Sequence, residues 1–525
     1  MRRILFFGMI VSILSVGLLM VPALSWGGGR ADTLVIGMNT GDAVSLDPAR
    51  AYEFSSVTIV EQLYDRLVEF LGGDFTKVQP GLAESWDVEG DLWTFHLRKG
   101  LRFPSGTPIN AEAVAFSLGR VATLKQTASW LVTQFGINDK TIKVVDDHTV
   151  QIKVNGRYAP GLFLSTLAFT TGSIVDPVVV KQHEQNGDLG SAWMTDHSAG
   201  SGPYSLEKWE RNAVVILRAN EQYWRGAPKL KRIIIRDIPE PTNQQILLEK
   251  GDIDVAWNLL ADQVKAIEGK PGIKIAKGPT FRLMYVGMNV GVKPLSDNRV
   301  RNAIRYAIDY DGIVNNILKG SAIKVQTFIP KGLMGYNPAL PYEKDIARAR
   351  QLLAEAGYPD GFEIELTTPP IPPFVDIATK IQSDLAEAGI KAKVVQMVAS
   401  QMYEKYRAQG LQLVLAQWGV DYADPDANAK PFAHCNSIGP DAKIKQLAWR
   451  NKYLNLETSA LVEKAAQELD VEKRKAYYKK LTDIILREGP YAIFAQPLLQ
   501  IAYRENVHGV MALPLAYHLN TWSKE

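Results

Sequence analysis

The chain has 525 residues, of which 46% are hydrophobic and 22% are charged, and its formal net charge is +3. This composition excludes a disordered chain, and the length predicts about two to four domains. The nearly balanced charge argues against a nucleic-acid-binding protein, and the single cysteine, Cys435, excludes an internal disulfide and a thiolate metal cluster.

The N-terminus predicts an export signal. Arg2 and Arg3 precede an apolar run from Ile4 to Met20, and Ala23 and Ser25 are the small residues of a cleavage site. Because no cysteine follows the run, we expect residues 1–25 to be removed and the mature chain to diffuse freely in the periplasm without a lipid anchor. The alternative is a retained membrane anchor, since the run is close to the shortest length that spans a bilayer.

The first elements are a strand from Thr33 to Met38 and a helix that starts at Asp47, with Pro48 in its first turn. A further helical pattern covers Val57 to Phe70. The segment from Ala83 to Trp86 predicts a short helical turn.

Alternation then predicts a strand from Trp93 to Leu97, and a Gly/Pro turn follows it. Asn110 caps the next helix, whose apolar residues recur with helical spacing. Lys143 to Val154 predicts a hairpin, Lys231 to Ile238 a strand, and Asp252 to Ala256 a short buried strand.

After Phe281 the chain becomes rich in helical patterns, beginning with two helices between Arg299 and Leu318. Two later units share one design, in which a helix closed by Gly357 or Gly389 leads directly into a strand. Such units build an open sheet with helices on its faces, so the fold class is predicted to be α/β.

The motifs AESW, WTFHLRKGLRF and SGTP between Lys77 and Arg120 resemble the signature of the family 5 extracellular solute-binding proteins, the peptide-type receptors of ABC importers. Pro104-Ser105 departs from the His-Asp that many relatives carry there. Further motifs follow in the family's order: SGPYSL (201–206), NEQYW (220–224), GDID (251–254), VRNAI (300–304), AEAGY (354–358) and DYADP (421–425).

The resemblance implies a periplasmic binding protein-like fold with two lobes that close about a hinge, and a larger lobe I with an extra α/β subdomain. Lobe I would contain residues 32–75, 200–282 and 498–525, its extra subdomain 76–199, and lobe II 283–497. A ligand binds between such lobes, and its contacts to both favour the closed state.

The resemblance also implies a function. The chain would be a monomeric receptor that captures a peptide or peptide-like solute and delivers it to the permease subunits of an ABC importer in the inner membrane, without a cofactor. Two alternatives stay open. The same receptor role could serve a non-peptide solute, such as an opine, oligosaccharide, glutathione or nickel chelate, or the protein could be a periplasmic holdase chaperone.

Asp421 is the first candidate for ligand binding. In peptide-binding relatives the matching aspartate pairs with the α-amino group of the ligand, a charge-assisted hydrogen bond. Asp424 precedes Pro425 and fits a helix N-cap, which leaves Asp421 available. The alternative is that Asp421 caps a loop or pairs with a nearby Lys or Arg.

Weaker candidates surround it. Trp418 is placed either to stack on a ligand or in the core, and Tyr422 belongs to the same motif. Four further candidates come from the implied lobe I side of the cleft: Tyr52, Glu53, Phe54 and Trp257. The last candidate is Arg282, which lies near the implied hinge and could equally be a surface or salt-bridge residue.

The absence of a basic residue at two positions narrows the class of ligand that we expect. A dipeptide receptor is expected to hold the ligand carboxylate with an arginine, but residues 367–374 contain no basic side chain, and Leu415 stands where some oligopeptide receptors have Arg. We therefore expect a longer peptide, or another solute with an amine or hydroxyls.

Catalysis and metal binding are not predicted. The sequence lacks G-x-S-x-G, H-E-x-x-H and P-loop motifs. The histidines show no helical i, i+4 pairs, so we assign neither catalytic nor metal-binding residues.

Overall fold

The computed structural model describes residues 31–126, 128–442 and 445–525. The predicted export signal, residues 1–25, lies outside them. Within the described ranges, no helix combines the length and apolarity needed to cross a membrane.

The strands, in chain order, are β1 Thr33–Met38, β2 Val68–Glu69, β3 Gln79–Pro80, β4 Ala83–Glu89, β5 Leu92–Leu97, β6 Ile142–Asp146, β7 Thr149–Lys153, β8 Tyr204–Glu210, β9 Val214–Ala219, β10 Arg232–Asp237, β11 Val255–Ala256, β12 Ile273–Pro279, β13 Arg282–Met288, β14 Ala322–Lys324, β15 Phe362–Thr368, β16 Ile390–Gln396, β17 Leu413–Gly419, β18 Tyr491–Arg504, β19 Val507–His508 and β20 Ser523–Lys524.

The helices are α1 Phe54–Leu63, α2 Ala111–Leu124, α3 Trp130–Thr133, α4 Pro160–Leu167, α5 Pro177–Gln182, α6 Ser191–Met194, α7 Pro241–Lys250, α8 Ala261–Ile267, α9 Lys293–Ser296, α10 Asn298–Ala307, α11 Tyr310–Gly312, α12 Ile346–Glu355, α13 Phe374–Glu387, α14 Ala399–Arg407, α15 Asp426–Ala433, α16 Leu447–Arg450, α17 Leu456–Gln467 and α18 Val471–Glu488. Short 3₁₀ turns cover Thr170–Gly172 and Leu519–Thr521, and a π-helical turn covers Ile313–Ile317.

One large sheet runs through the molecule, in the order β16-β15-β17-β13-β18-β11-β1-β10-β9-β8, with β12 and β14 also paired to β18. The long strand β18 divides it. Its first residues, Tyr491 to Pro497, pair with β13 and β14, and its last residues, Leu498 to Arg504, pair with β12 and β11. We call β13–β17 with the start of β18 the C-terminal half-sheet, and β1 and β8–β12 with its end the N-terminal half-sheet.

Each half-sheet has its own apolar core. In the C-terminal half, the predicted helix-strand units are confirmed as α12-β15 and α13-β16, whose apolar faces pack around Leu366, Ile381 and Leu413. In the N-terminal half, β1, β9 and β10 pack around Ile36, Leu217 and their neighbours.

A second, four-stranded antiparallel sheet has the order β4-β5-β7-β6 and carries α2. The predicted hairpin is confirmed as β6 and β7. The cap is confirmed as well, because Asn110 Oδ1 accepts from the Ala113 backbone N–H at 3.1 Å. The helical turn predicted from Ala83 to Trp86 is wrong, since these residues begin β4 and Trp86 pairs with Phe95 of β5. Long-range strand pairing overrides the local pattern here.

The helix predicted to start at Asp47 is also wrong. Residues 47–50 form a single turn, and α1 begins at Phe54 and ends at Leu63. Asp47 is fully buried, and its carboxylate accepts hydrogen bonds from both terminal nitrogens of Arg120 at 2.7 Å. This ion pair fixes the turn from which the chain reaches Tyr52.

Candidate functional site

Asp421 lies in the loop between β17 and α15, where the C-terminal half-sheet meets the N-terminal half-sheet. Its carboxylate oxygen Oδ1 accepts a hydrogen bond from the Tyr52 hydroxyl at 2.6 Å. Tyr52 comes from the segment just before α1, on the opposite side. The structure therefore brings together two predicted site residues that are far apart in sequence.

Asp421 is half-buried, so its carboxylate has restricted access to water. Burial raises the pKa of Asp421 to about 6, and the hydrogen bond from Tyr52 partly opposes that rise. Burial and the adjacent carboxylate raise the pKa of Tyr52 far above its usual value. Among the described residues, no Lys, Arg or His forms an ion pair with Asp421. The site thus holds a half-buried carboxylate that no cation of the described residues neutralises.

A cavity of about 400 Å³ opens beside this pair, and we call it the near cleft. Of the predicted residues, Tyr52, Phe54, Trp257, Arg282 and Asp421 line it. The Arg282 guanidinium lies 5.9 Å from the Phe54 ring centroid, and Arg282 is exposed rather than held in an ion pair. The near cleft combines aromatic walls with one cation and one anion, which suits a polar ligand with an apolar body.

Trp257 forms the floor of the near cleft and is 2% exposed. Its ring stacks on Trp522, with 6.2 Å between the centroids. Its indole N–H has no hydrogen-bond partner among the described residues. A buried donor at a cavity wall is available to a ligand acceptor.

Glu53 lines neither the near cleft nor the cavity on the other side of Asp421. It occupies the N-cap position of α1, and its carboxylate accepts from the Tyr52 backbone N–H at 3.3 Å. It therefore supports the backbone next to Tyr52 instead of facing the cavity.

Trp418 and Tyr422 lie on the other side of Asp421, along a cavity of about 220 Å³ that we call the middle chamber. Trp418 is half-buried and donates its indole N–H to the Ala427 carbonyl at 3.2 Å. Tyr422 is buried and donates its hydroxyl to Asp426 at 3.1 Å. Both rings are thus fixed by the protein and present only part of their surface to the chamber.

Asp424 has a structural role. Its carboxylate accepts hydrogen bonds from both terminal nitrogens of Arg474 at 2.7 Å. Its Oδ1 also accepts a hydrogen bond from the Asp426 backbone N–H at 2.9 Å. The N-cap residue of α15 is Pro425, one position later than predicted. Asp424 satisfies the helix start from just outside it, and the ion pair with Arg474 was not predicted.

Residues 77–440 match the family described as bacterial extracellular solute-binding proteins, family 5 Middle. The probable D,D-dipeptide-binding periplasmic protein DdpA of Escherichia coli (strain K12) is 30% identical over 502 residues, which cover 94% of this chain and 94% of that protein. The chain belongs to the family 5 bacterial extracellular solute-binding proteins.

Solved structures agree with this membership. HbpA2 from Haemophilus parasuis superposes on the family 5 protein with a TM-score of 0.82 at 27% identity, over 94% of this chain and all of that one (100%). The periplasmic binding protein DppA from Helicobacter pylori, in complex with the peptide STSA, gives 0.76 at 27% identity over 94% and 98%. The predicted α/β fold of two lobes is therefore confirmed.

The family 5 protein also contains cavity residues that the sequence did not single out. Trp130 of α3 and Lys430 of α15 both line the middle chamber, and the Trp130 side chain lies close to the Tyr52 phenol. Trp130 carried no local signal, because its position depends on packing between distant segments. Lys430 did carry one, since it interrupts an otherwise uncharged stretch from Ala427 to Ala433.

Leu415 stands where some oligopeptide receptors have Arg, and its side chain does not face the cleft. Leu415 is fully buried and pairs with Val286 in the middle of the C-terminal half-sheet, so it faces the core. Metal ligands do not cluster either, because no group of three or more His, Cys, Asp or Glu side chains is placed to hold an ion within residues 31–126, 128–442 and 445–525.

Proposed function

We propose that this protein is a periplasmic receptor that captures a peptide or peptide-like solute with a free amino group and delivers it to the permease of an ABC importer. The observation that carries the proposal is the carboxylate of Asp421, which is half-buried between the half-sheets without a cationic partner among the described residues. A ligand ammonium would supply the missing charge, and exclusion of water would strengthen the pair.

The position of the pair supports closure around the ligand. Asp421 and Tyr52 come from opposite half-sheets, so a ligand that contacts both favours the closed arrangement by its differential affinity. We assign lobe I to residues 32–75, 200–282 and 498–525, its extra subdomain to 76–199, and lobe II to 283–497. Tyr52, Phe54 and Trp257 would then contact the ligand from lobe I, and Asp421, Trp418 and Tyr422 from lobe II. Arg282 would lie at the hinge.

The relatives support a peptide-like solute. Their names describe a D,D-dipeptide-binding protein, a dipeptide-binding protein and a protein in complex with the peptide STSA. Export of residues 26–525 to the periplasm, a monomeric state and docking to inner-membrane permease subunits belong to the same proposal. A receptor that works by closure needs no catalytic group.

The first experiment is a thermal-shift screen of residues 26–525 against di- to pentapeptides, opines, glutathione, oligosaccharides and nickel chelates. A ligand present at a hundredfold excess over its dissociation constant stabilises the folded state by about 2.7 kcal/mol, which is readily detected. Selective binding of one solute class supports a receptor. Weak binding to any unfolded polypeptide, with no selective solute, would support a holdase instead.

The second experiment tests Asp421 with a ligand from that screen. Asp421→Asn keeps the shape and the acceptor for Tyr52 but removes the charge, so we expect affinity to fall by about tenfold to a hundredfold. Asp360→Asn, an exposed carboxylate in the same lobe, is the matched control and should bind normally. Unchanged affinity of Asp421→Asn would exclude the amine-pairing proposal.

A further inference from the structure

The near cleft does not end at Asp421. Beyond it lie the middle chamber and then a third cavity of about 480 Å³, which we call the far cavity. Neighbouring cavities share lining residues, because Asp421 lines both the near cleft and the middle chamber, and Gln134 and Lys430 line both the middle chamber and the far cavity. The three cavities therefore adjoin one another in a row, with more room than a dipeptide needs.

Lys430 stands where the middle chamber meets the far cavity. It belongs to α15, and its side chain is half-buried. Its ammonium group makes no hydrogen bond or ion pair with the described residues, although it lies close enough to Asp426 to stabilise that carboxylate. A half-buried ammonium with open donors beside a cavity is a suitable partner for an anion.

The acidic groups around the far cavity are already engaged or exposed. Asp426 is buried and accepts from the Tyr422 hydroxyl, and Glu463 bonds to His434 at 2.9 Å. Asp441 is exposed to solvent.

Lys445, the other cation of the middle chamber, is placed differently. It is exposed, and its ammonium lies 5.5 Å from the centroid of the Trp449 ring. The middle chamber thus has the half-buried Asp421 carboxylate at one end and the half-buried Lys430 ammonium at the other.

We propose that Lys430 is a second ligand anchor, which binds the acid group of an elongated zwitterionic solute whose ammonium group sits at Asp421. The inference rests on the proposed function and adds to it the second charge and the direction of the ligand. The solute enters the middle chamber with its amine toward the near cleft and its carboxylate toward the far cavity. A peptide of several residues has this character, whereas a neutral sugar does not.

The competing role for Lys430 is structural support of the buried Asp426. The two roles differ in what they predict. If Lys430 only supports Asp426, its substitution lowers stability but leaves any preference among ligands unchanged. If Lys430 is an anchor, the wild-type protein prefers ligands with a free acid group, and the substitution removes that preference.

The test uses alanine peptides of two to five residues, each prepared as the free acid, the C-terminal amide and the N-acetyl form. Affinities are measured by titration calorimetry. We expect the wild-type protein to bind the free acid of the best-fitting length about tenfold or more tightly than its amide, the size of one charge-assisted hydrogen bond. This comparison needs no substitution, so it stands even where a variant does not fold.

The variants then locate the effect. Lys430→Met should bind the acid and the amide alike, Lys430→Arg should keep the preference, and Lys464→Met, an exposed lysine of α17, should behave as wild type. Each contrary outcome is informative. Equal binding of acid and amide by the wild type overturns the Lys430 anchor and leaves the amine site intact, provided that N-acetylation still abolishes binding.

A preference that survives in Lys430→Met also overturns the anchor, because the acid group is then held elsewhere. N-acetyl peptides that bind as tightly as free peptides overturn the proposed amine site at Asp421. Failure of every alanine peptide and of every amine-bearing solute of the thermal-shift screen to bind overturns both proposals.

Discussion

Asp421 and Asp424 belong to the same loop, but the protein holds their carboxylates in opposite ways. Asp424 is clamped by Arg474 and by a backbone N–H of α15, so its charge is matched by the fold. Asp421 is half-buried, and its one hydrogen bond within the described residues comes from a neutral hydroxyl across the cleft. A buried charge paired by the fold stabilises the structure, whereas one left unpaired is available to a ligand.

The largest expected effect tests the paired aspartate. Arg474→Met would leave the buried Asp424 carboxylate without its cation, and we expect the free energy of unfolding in urea to fall by about 3–5 kcal/mol. Lys473→Met, an exposed neighbour on α18, should change it little. A loss no greater than that of the control would mean that the ion pair does not support the loop.

An effect of opposite sign is expected at the unpaired aspartate. Its carboxyl group has a pKa of about 6 in the folded protein, against about 3.9 in an unfolded chain. The folded state therefore binds this proton more tightly, and ionisation lowers stability progressively as the pH rises from about 4 to about 6. Asp421→Asn avoids this loss, so we expect it to be about 3 kcal/mol more stable than wild type at pH 7.5.

The check is urea unfolding of both proteins between pH 4 and pH 7.5. The advantage of Asp421→Asn should shrink on acidification and vanish near pH 4. Glu61 and Asp65 also have raised pKa values, but they titrate in both proteins and cancel in the difference. A difference that is the same at every pH would contradict the unpaired state of Asp421.

The smallest expected effect concerns the bridge across the cleft. Tyr52→Phe removes the hydroxyl that donates a hydrogen bond to Asp421. We expect this variant to be less stable by about 1 kcal/mol and to bind the ligand with altered affinity. Tyr223→Phe is the matched control, because its hydroxyl donates to Asp65 at 2.9 Å away from the cleft. Tyr223→Phe should lower stability without changing affinity. Equal effects of both variants on affinity would argue against a special role for Tyr52.

Local patterns in the sequence predicted elements whose pairing is also local. The hairpin β6-β7 and the units α12-β15 and α13-β16 follow from alternation, caps and glycine stops within short segments. The prediction of a helical turn from Ala83 to Trp86 was wrong because this segment pairs with β5 as a strand. Helix start signals identified a role for Asp424, but the same signals misassigned Asp47, which is the buried partner of Arg120.

For the site, the loop motif predicted Asp421, and the resemblance placed Tyr52 and Trp257 near it. The sequence could not show that the Tyr52 hydroxyl reaches Asp421, because the two residues meet only through the packing of two half-sheets. The same holds for Trp130, which reaches Tyr52 from a short helix. Lys430 was visible as a charge in an uncharged stretch, but its meaning required the cavities on both sides of it.

The long strand β18 has a consequence for biosynthesis. It lies between β13 and β14 in one half-sheet and between β11 and β12 in the other, so both halves lack an interior strand until residues 491–504 are made. A chain that emerges N-terminus first therefore cannot complete either half early, and its most distant contacts form last. Such a nascent chain stays incompletely folded almost to its final residues, which would suit the proposed export of an unfolded chain.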